Sequence, residues 1–309
     1  MTLKTSTTGS WPPTYDPDKP IRHLPAEEQD RIVHESIERT VRDQIELGID
    51  ILVDGQVRDD IVSLLAPKLH GYAGSTLPYR AVGPIQPADE PITVEDYLYA
   101  KQLVGDRPLK AHITGPMTMA RGTLVETPTY KDRNDPKLVC DLARALGQEA
   151  RFLVQAGAEI VQIDEPMFGD GVNLELAFEA MKQIIEIGEI PFPALHACGN
   201  ITMILDDILT RSPVKMVSIE GAWLKYDELS HINRDFLIRC GKQIGLGCIQ
   251  VSDYNIERKR QVQNFLDQMM VRLGEENIWA VMPNCGLRPV PYEVAKTKLQ
   301  VMVETARSL

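Results

Sequence analysis

A histidine and a cysteine stand two residues apart in "PALHACGN", residues 193–200, within a run that otherwise reads as buried strand and ends near a glycine. On a strand, residues i and i+2 point to the same side, so His196 and Cys198 can share one target. Imidazole nitrogen and thiolate sulfur are donors that zinc prefers, with carboxylate oxygen as a third type and four ligands in all. Two more such donors end other apolar runs: Glu220 in "VKMVSIEGA" (214–222) and Cys285 in "IWAVMPNCG" (278–286). His196, Cys198, Glu220 and Cys285 are therefore the candidate metal ligands. The plain alternative is that these cysteines are small buried hydrophobes, a common use of the residue. Cys248, near the end of "QIGLGCIQV" (243–251), is a rival ligand or a core residue, and Cys140 and Cys240 lie in helical patterns and read as core.

Such donors need a scaffold that brings strand ends together. Short apolar runs alternate with helical patterns along the chain: "KTSTTGSWP" (4–12), "IDILVDGQ" (49–56), "LKAHITGP" (109–116), "EIVQIDEP" (159–166), "FPALHACGN" (192–200), then the runs at 214–222, 243–251 and 278–286. Between the first two, Ile32, Val33, Ile37, Val41 and Ile45 share one helical face from about Pro25 to Leu47, and Gly48 stops the pattern. Eight runs, several apolar on both faces, are expected of parallel strands covered by helices. The reading is an α/β fold, a (β/α)8 TIM barrel forming a single domain over residues 1–309. A doubly wound open sheet is the competitor, and no G-x-G-x-x-G supports it. The Pro- and Gly-bearing stretch 65–91 is expected to form a long loop or hairpin over one mouth of the barrel.

Barrel chemistry sits where strands end and βα loops begin. Those ends carry Ser10, Asp54 with Gln56, His112 with Thr114, Asp164 with Glu165, His196 with Cys198, Glu220, Ser252 and Cys285. His23, His34, His70 and His231 fall in loops or on helix faces and read as surface residues.

Composition bounds the rest. The 309 residues are 43% hydrophobic and 25% charged, as in a globular protein, and the net charge of −11 comes without any block of Lys or Arg. Nucleic acid is not an expected partner. No run approaches the roughly 18 apolar residues of a membrane span, and the first residues hold no apolar signal core, so no membrane association and a cytoplasmic location are expected. Five widely spaced cysteines do not suggest a disulfide framework.

Taken in order and spacing, "TTGSWP", "DGQVRDD", "ITGPMT", "VQIDEP", "LHACGN", "IEGA", "GLGCIQV" and "PNCGLR" resemble the cobalamin-independent methionine synthase family, specifically its C-terminal catalytic barrel. The resemblance covers nearly the whole chain. It implies a barrel fold, a zinc site and methylation of the homocysteine thiol to give methionine. Carried over by residue, the zinc ligands are His196, Cys198, Glu220 and Cys285. Thr8, Gly9 and Ser10 fall near the homocysteine carboxylate, and Asp164 at its amino group. Glu220, the weakest donor of the four, is expected to loosen when the substrate sulfur arrives.

The sequence also departs from the folate-using members. They have a second, N-terminal barrel, and this chain is one barrel long. Where they carry a tryptophan that stacks on the pterin, this chain has Gly122 beside Arg121; where they carry a proton-donating histidine, it has Ser252. A serine hydroxyl is no comparable acid. Transfer from methylcobalamin leaves cob(I)alamin, which departs without a proton, so the expected donor is a corrinoid, methylcobalamin or a methylated corrinoid carrier protein acting as partner. Gln56 replaces a glutamate that helps bind the ammonium, which leaves Asp164 as the charged group there. The alternatives are another thiol, such as coenzyme M, a folate donor, or an inactive relative. Retention of all four ligands speaks against the last.

Overall fold

The computed structural model describes residues 3–19, 21–199, 201–221 and 230–309. Ala222 and Asn200, the last residues of two apolar runs, lie outside them.

Seven strands form one parallel sheet: β1 (Leu52–Val53), β4 (Leu109–Thr114), β6 (Ile160–Asp164), β7 (Phe192–His196), β8 (Met216–Ile219), β9 (Gln243–Ile249) and β10 (Ile278–Pro283), adjacent in that order. The N-terminal segment joins its two edges. Thr5 bridges Val281 and Ser6 bridges Ile51, both parallel, with Ser6 N donating to Val281 O and Ile51 N to Thr5 O at 3.0 Å each. The first apolar run thus supplies the eighth stave, and the sheet closes as a (β/α)8 barrel. Only two residues of that run pair, because Gly9, Pro12 and Pro13 follow and proline has no N–H to give a ladder.

Helices cover the outside. α1 (Ala26–Leu47) buries Val33, Ile37 and Val41 against the sheet and ends at Gly48, whose φ of +81° glycine adopts without strain. α2 (Val94–Val104), α3 (Pro116–Arg121), α4 (Pro136–Gln155), α5 (Leu174–Gly188), α6 (Leu205–Arg211), α7 (Arg234–Cys240), α8 (Lys259–Leu273) and α9 (Tyr292–Ala306) complete the layer. Among the described residues, no helix is long and apolar enough to cross a membrane.

Residues 65–91 contain an antiparallel hairpin, β2 (His70–Ala73) and β3 (Tyr79–Gln86), and β5 (Thr123–Val125) adds to β3 in parallel. β3 alternates buried and exposed side chains along its length, so one face packs and the other meets solvent.

Inside the barrel, two neighbouring strands present polar side chains. On β4 they are Lys110, His112 and Thr114, with Gln162 and Asp164 facing them from β6, where His112 pairs with Gln162 and Thr114 with Asp164. All five are buried.

Candidate active site

The floor is a hydrogen-bond network that holds two backbone carbonyls and one carboxylate. Lys110 Nζ donates to Thr7 O (2.9 Å), Thr8 O (3.2 Å) and Gln162 Oε1 (2.6 Å). Its oxygen so engaged, the Gln162 amide turns its Nε2 to Thr8 O (2.8 Å) and Asp164 Oδ1 (2.7 Å). His112 Nε2 lies 2.9 Å from Thr8 O and acts as donor, since a carbonyl can only accept. Burial drives Lys110 down to about 7, with Asp164 opposing, and holds His112 well below its ordinary value, so that imidazole is neutral. Asp164 Oδ2 takes a bond from Gln56 Nε2 at 3.0 Å. Burial raises the Asp164 pKa, while His196 and the two amides pull the other way.

Above this floor, His196, Cys198 and Cys285 present their ligand atoms within 4.8 Å of one another. β7 ends at His196, so Cys198 lies past the strand, next to Gly199 at φ +78°. The shared-face spacing of a strand therefore does not itself create the pair. His196 Nδ1 lies 3.1 Å from Ser218 Oγ, and that hydroxyl donates its proton to Met282 Sδ. Ser218 must then accept from Nδ1–H, which turns Nε2 towards the sulfurs, where burial lowers the His196 pKa but Cys285 more than offsets it. His196 Nε2 is buried and has no hydrogen-bond partner. A histidine whose second nitrogen is fixed this way is set up as a metal ligand. The Cys198 thiol, with His196, holds Cys285 far below the usual thiol range, while Cys285 and burial push Cys198 up. One imidazole nitrogen and two such sulfurs are a donor set that suits zinc.

Glu220 stands outside this compact group. Its Oε1 accepts from Gly199 N at 2.7 Å, which ties it to the turn carrying Cys198.

A cavity of about 300 Å³ opens over the group. Asp164, Gln56 and the Thr8–Ser10 segment line it together with His196, Cys198 and Cys285, and Asp59, Asp60 and Arg288 also contribute. The Thr8 hydroxyl is committed to Pro283 O (2.8 Å), so Thr8 offers the cavity no free donor there. A Cβ at Gly9 would lie 2.4 Å from Gln56 Oε1, so a side chain there would displace the Gln56 amide. Ser10 Oγ accepts from Arg288 N at 3.3 Å.

Other strand-end residues serve the frame. Glu165 accepts from Met117 N, Thr118 N and Thr118 Oγ1 at 2.6–2.9 Å, and burial pushes its pKa up to about 7. Asp54 is raised to about 6 by burial and accepts from Gln56 N at 3.0 Å. Thr114 donates to Ile61 O. Ser252 is exposed in the loop after β9. At Gly122 an added Cβ would meet Val62 Cγ1 at 3.0 Å and Leu77 Cδ2 at 3.2 Å, a tight fit for any side chain there. Cys248 is buried, while Cys140 and Cys240 are half-buried. His34 is half-buried too, stacked on Tyr99 at 3.8 Å, unlike the exposed His23, His70 and His231.

Lys110, Gln162 and Arg288 were not singled out by sequence reasoning. The first two left a signal, being polar residues two places before His112 and Asp164 in apolar strands; Arg288 left none, because its partners are distant in sequence.

Residues 3–308 match the family profile described as cobalamin-independent synthase, catalytic domain. A methionine synthase of Methanothermobacter marburgensis is 34% identical over 281 residues, with 88% of each chain covered. One from Methanocaldococcus jannaschii is 32% identical over 286 residues, again with 88% of each covered. Among solved structures, a B12-independent methionine synthase from Shewanella sp. W3-18-1, in complex with selenomethionine, superposes with a TM-score of 0.84 at 26% identity, covering 100% of this chain and 98% of that one. A methyltransferase from Methanosarcina mazei shares the fold, with a TM-score of 0.67 at 15% identity over 99% of this chain and 94% of that one.

Proposed function

The chain belongs to the cobalamin-independent synthase family, matching its catalytic domain, and from that premise we propose that it methylates the thiol of homocysteine to give methionine in a zinc-dependent reaction. The observation that carries this reading is the His196, Cys198 and Cys285 group, with an unpartnered imidazole nitrogen, beneath a cavity that Asp164 also lines. Those three residues would hold the zinc, with Glu220 as the fourth, displaceable donor. Zinc strips the proton from a thiol ligand at neutral pH and so supplies the nucleophile. The chain's own residues orient the acceptor: Asp164 receives the ammonium, with Gln56 and Gln162 fixing its two oxygens, and the Gly9–Ser10 segment flanks the carboxylate. In the transfer the thiol gives up its proton, the sulfur takes the methyl carbon, and the donor keeps the electron pair of the bond that breaks. That a relative was solved with selenomethionine, the product with selenium for sulfur, supports this acceptor.

For the donor we propose a methyl-corrinoid, free or carried on a partner protein, used as a co-substrate. Two observations support it. Gly122, packed against Val62 and Leu77, offers no ring for a pterin to stack on, and the exposed Ser252 offers no acid to a departing amine. A folate donor is the second reading, favoured by the family's own description as cobalamin-independent. Coenzyme M as acceptor is disfavoured, because a sulfonate gives the Asp164 carboxylate nothing to bind.

The test of the metal reading is zinc content measured beside methionine formation. One zinc per chain is expected in the native protein, with both zinc and activity lost in His196→Ala and in Cys285→Ser. Full activity in a zinc-free variant would contradict it.

A further inference from the structure

We propose that Arg288 is a positioning residue for acceptor binding, acting through Gln56; the inference rests on the homocysteine reading above. Gln56 has a φ of +44°, the left-handed region that residues with side chains mostly avoid. Something must hold it there, because the conformation is what aims its amide inward. That amide is engaged at both ends: Nε2 donates to Asp164, and Oε1 packs where any side chain on Gly9 would have to go.

The Asp54 carboxylate takes the Gln56 N–H, and the contacts on the carbonyl side come from Arg288. Its Nη1 donates to Gln56 O and Val57 O, both at 3.1 Å, and its Nη2 to Tyr15 Oη at 3.0 Å. Tyr15 Oη in turn donates to Val57 O at 2.6 Å, so the same peptide is gripped twice. The Arg288 backbone N–H meets Ser10 Oγ. One residue, three places after Cys285, therefore ties together the Ser10 segment and the Gln56 turn. A planar guanidinium can reach two carbonyls and a hydroxyl at once; an ammonium on a flexible stem lacks that fixed fork. None of the side-chain bonds of Arg288 goes to His196, Cys198 or Cys285, so its loss should disturb recognition and leave the metal group intact.

The experiment is a calorimetric titration of the zinc-loaded protein with L-homocysteine and no methyl donor, run on Arg288→Ala, Arg288→Lys, Gln56→Ala and the Arg288→Ala/Gln56→Ala double variant. Arg288→Ala and Arg288→Lys are each expected to weaken binding at least tenfold with one zinc per chain retained. The double variant should bind no more than threefold weaker than Gln56→Ala alone, since the arginine acts through the glutamine. In turnover the same variants should raise KM and change kcat less than threefold. Native affinity in Arg288→Lys, or multiplicative losses in the double variant, would overturn the inference alone. Native protein that takes up no homocysteine would overturn the acceptor reading and this inference with it.

Discussion

At the scale of single residues, the chemistry is set by which polar atoms are left free and which are already engaged. His196 Nε2 is free because Ser218 fixes the other nitrogen, and Asp164 is oriented because two amides hold it. Asp164→Asn should therefore raise the KM for homocysteine by roughly 10- to 100-fold, the loss of a charge-assisted bond worth about 1.5–3 kcal/mol, and leave zinc content unchanged. A KM within twofold of native in steady-state assays would contradict the ammonium role. Ser252→Ala should leave methylcobalamin-dependent turnover nearly unchanged, whereas a hundredfold loss would mean that a proton donor is needed there. The donor types were readable from sequence because His, Cys and Glu at strand ends are uncommon in apolar runs. What could not be read was the tautomer of His196, which depends on Ser218 and Met282 from two other strands, and the clamp on Gln56, whose arginine lies 232 residues away.

Secondary-structure elements aim these residues. The 54–60 turn is tied to the outer helices through Arg58, which binds both Asp96 oxygens at 2.7–2.8 Å and Asp30 Oδ1 at 2.8 Å. α3 begins over the buried Glu165 carboxylate, which satisfies two of the backbone N–H groups that a helix start leaves without partners. Glu165→Ala would orphan three buried donors, and about 2–4 kcal/mol of stability should be lost in urea unfolding. A loss under about 1 kcal/mol would show that water replaces the carboxylate easily. Helix α1 was legible from its apolar stripe, since spacing alone sets which side chains share a face. The 65–91 segment was less so: β3 alternates clearly, but Gly83 and Pro84 interrupt the pattern, and its parallel partner β5 lies some 40 residues on.

For the whole molecule, closure of the barrel places one strongly buried ammonium beneath the site. Lys110 is fully enclosed and lowered to about 7, so between pH 7 and 10.5 the folded state binds fewer protons than the unfolded chain. Stability from this group is thus present above its unfolded value and is lost as pH falls towards 7. Between pH 7.5 and 9.0 the native protein should gain on Lys110→Met by up to about 2 kcal/mol in paired urea titrations, and equal slopes would contradict the burial argument. The alternation of eight apolar runs with helices was enough to read the barrel, because each strand's two-faced burial is written locally. How it closes was not, because only Thr5 and Ser6 of the first run pair, and they do so with strands from opposite ends of the chain.

The most direct test of the account is methyl transfer itself. Zinc-loaded protein is given L-homocysteine with methylcobalamin or with methyltetrahydrofolate, and methionine is followed beside cob(I)alamin. The account predicts one methionine for each cob(I)alamin formed and none from the folate. Methionine from folate alone would contradict the donor assignment, and no methionine from either would contradict the central claim that this site methylates homocysteine.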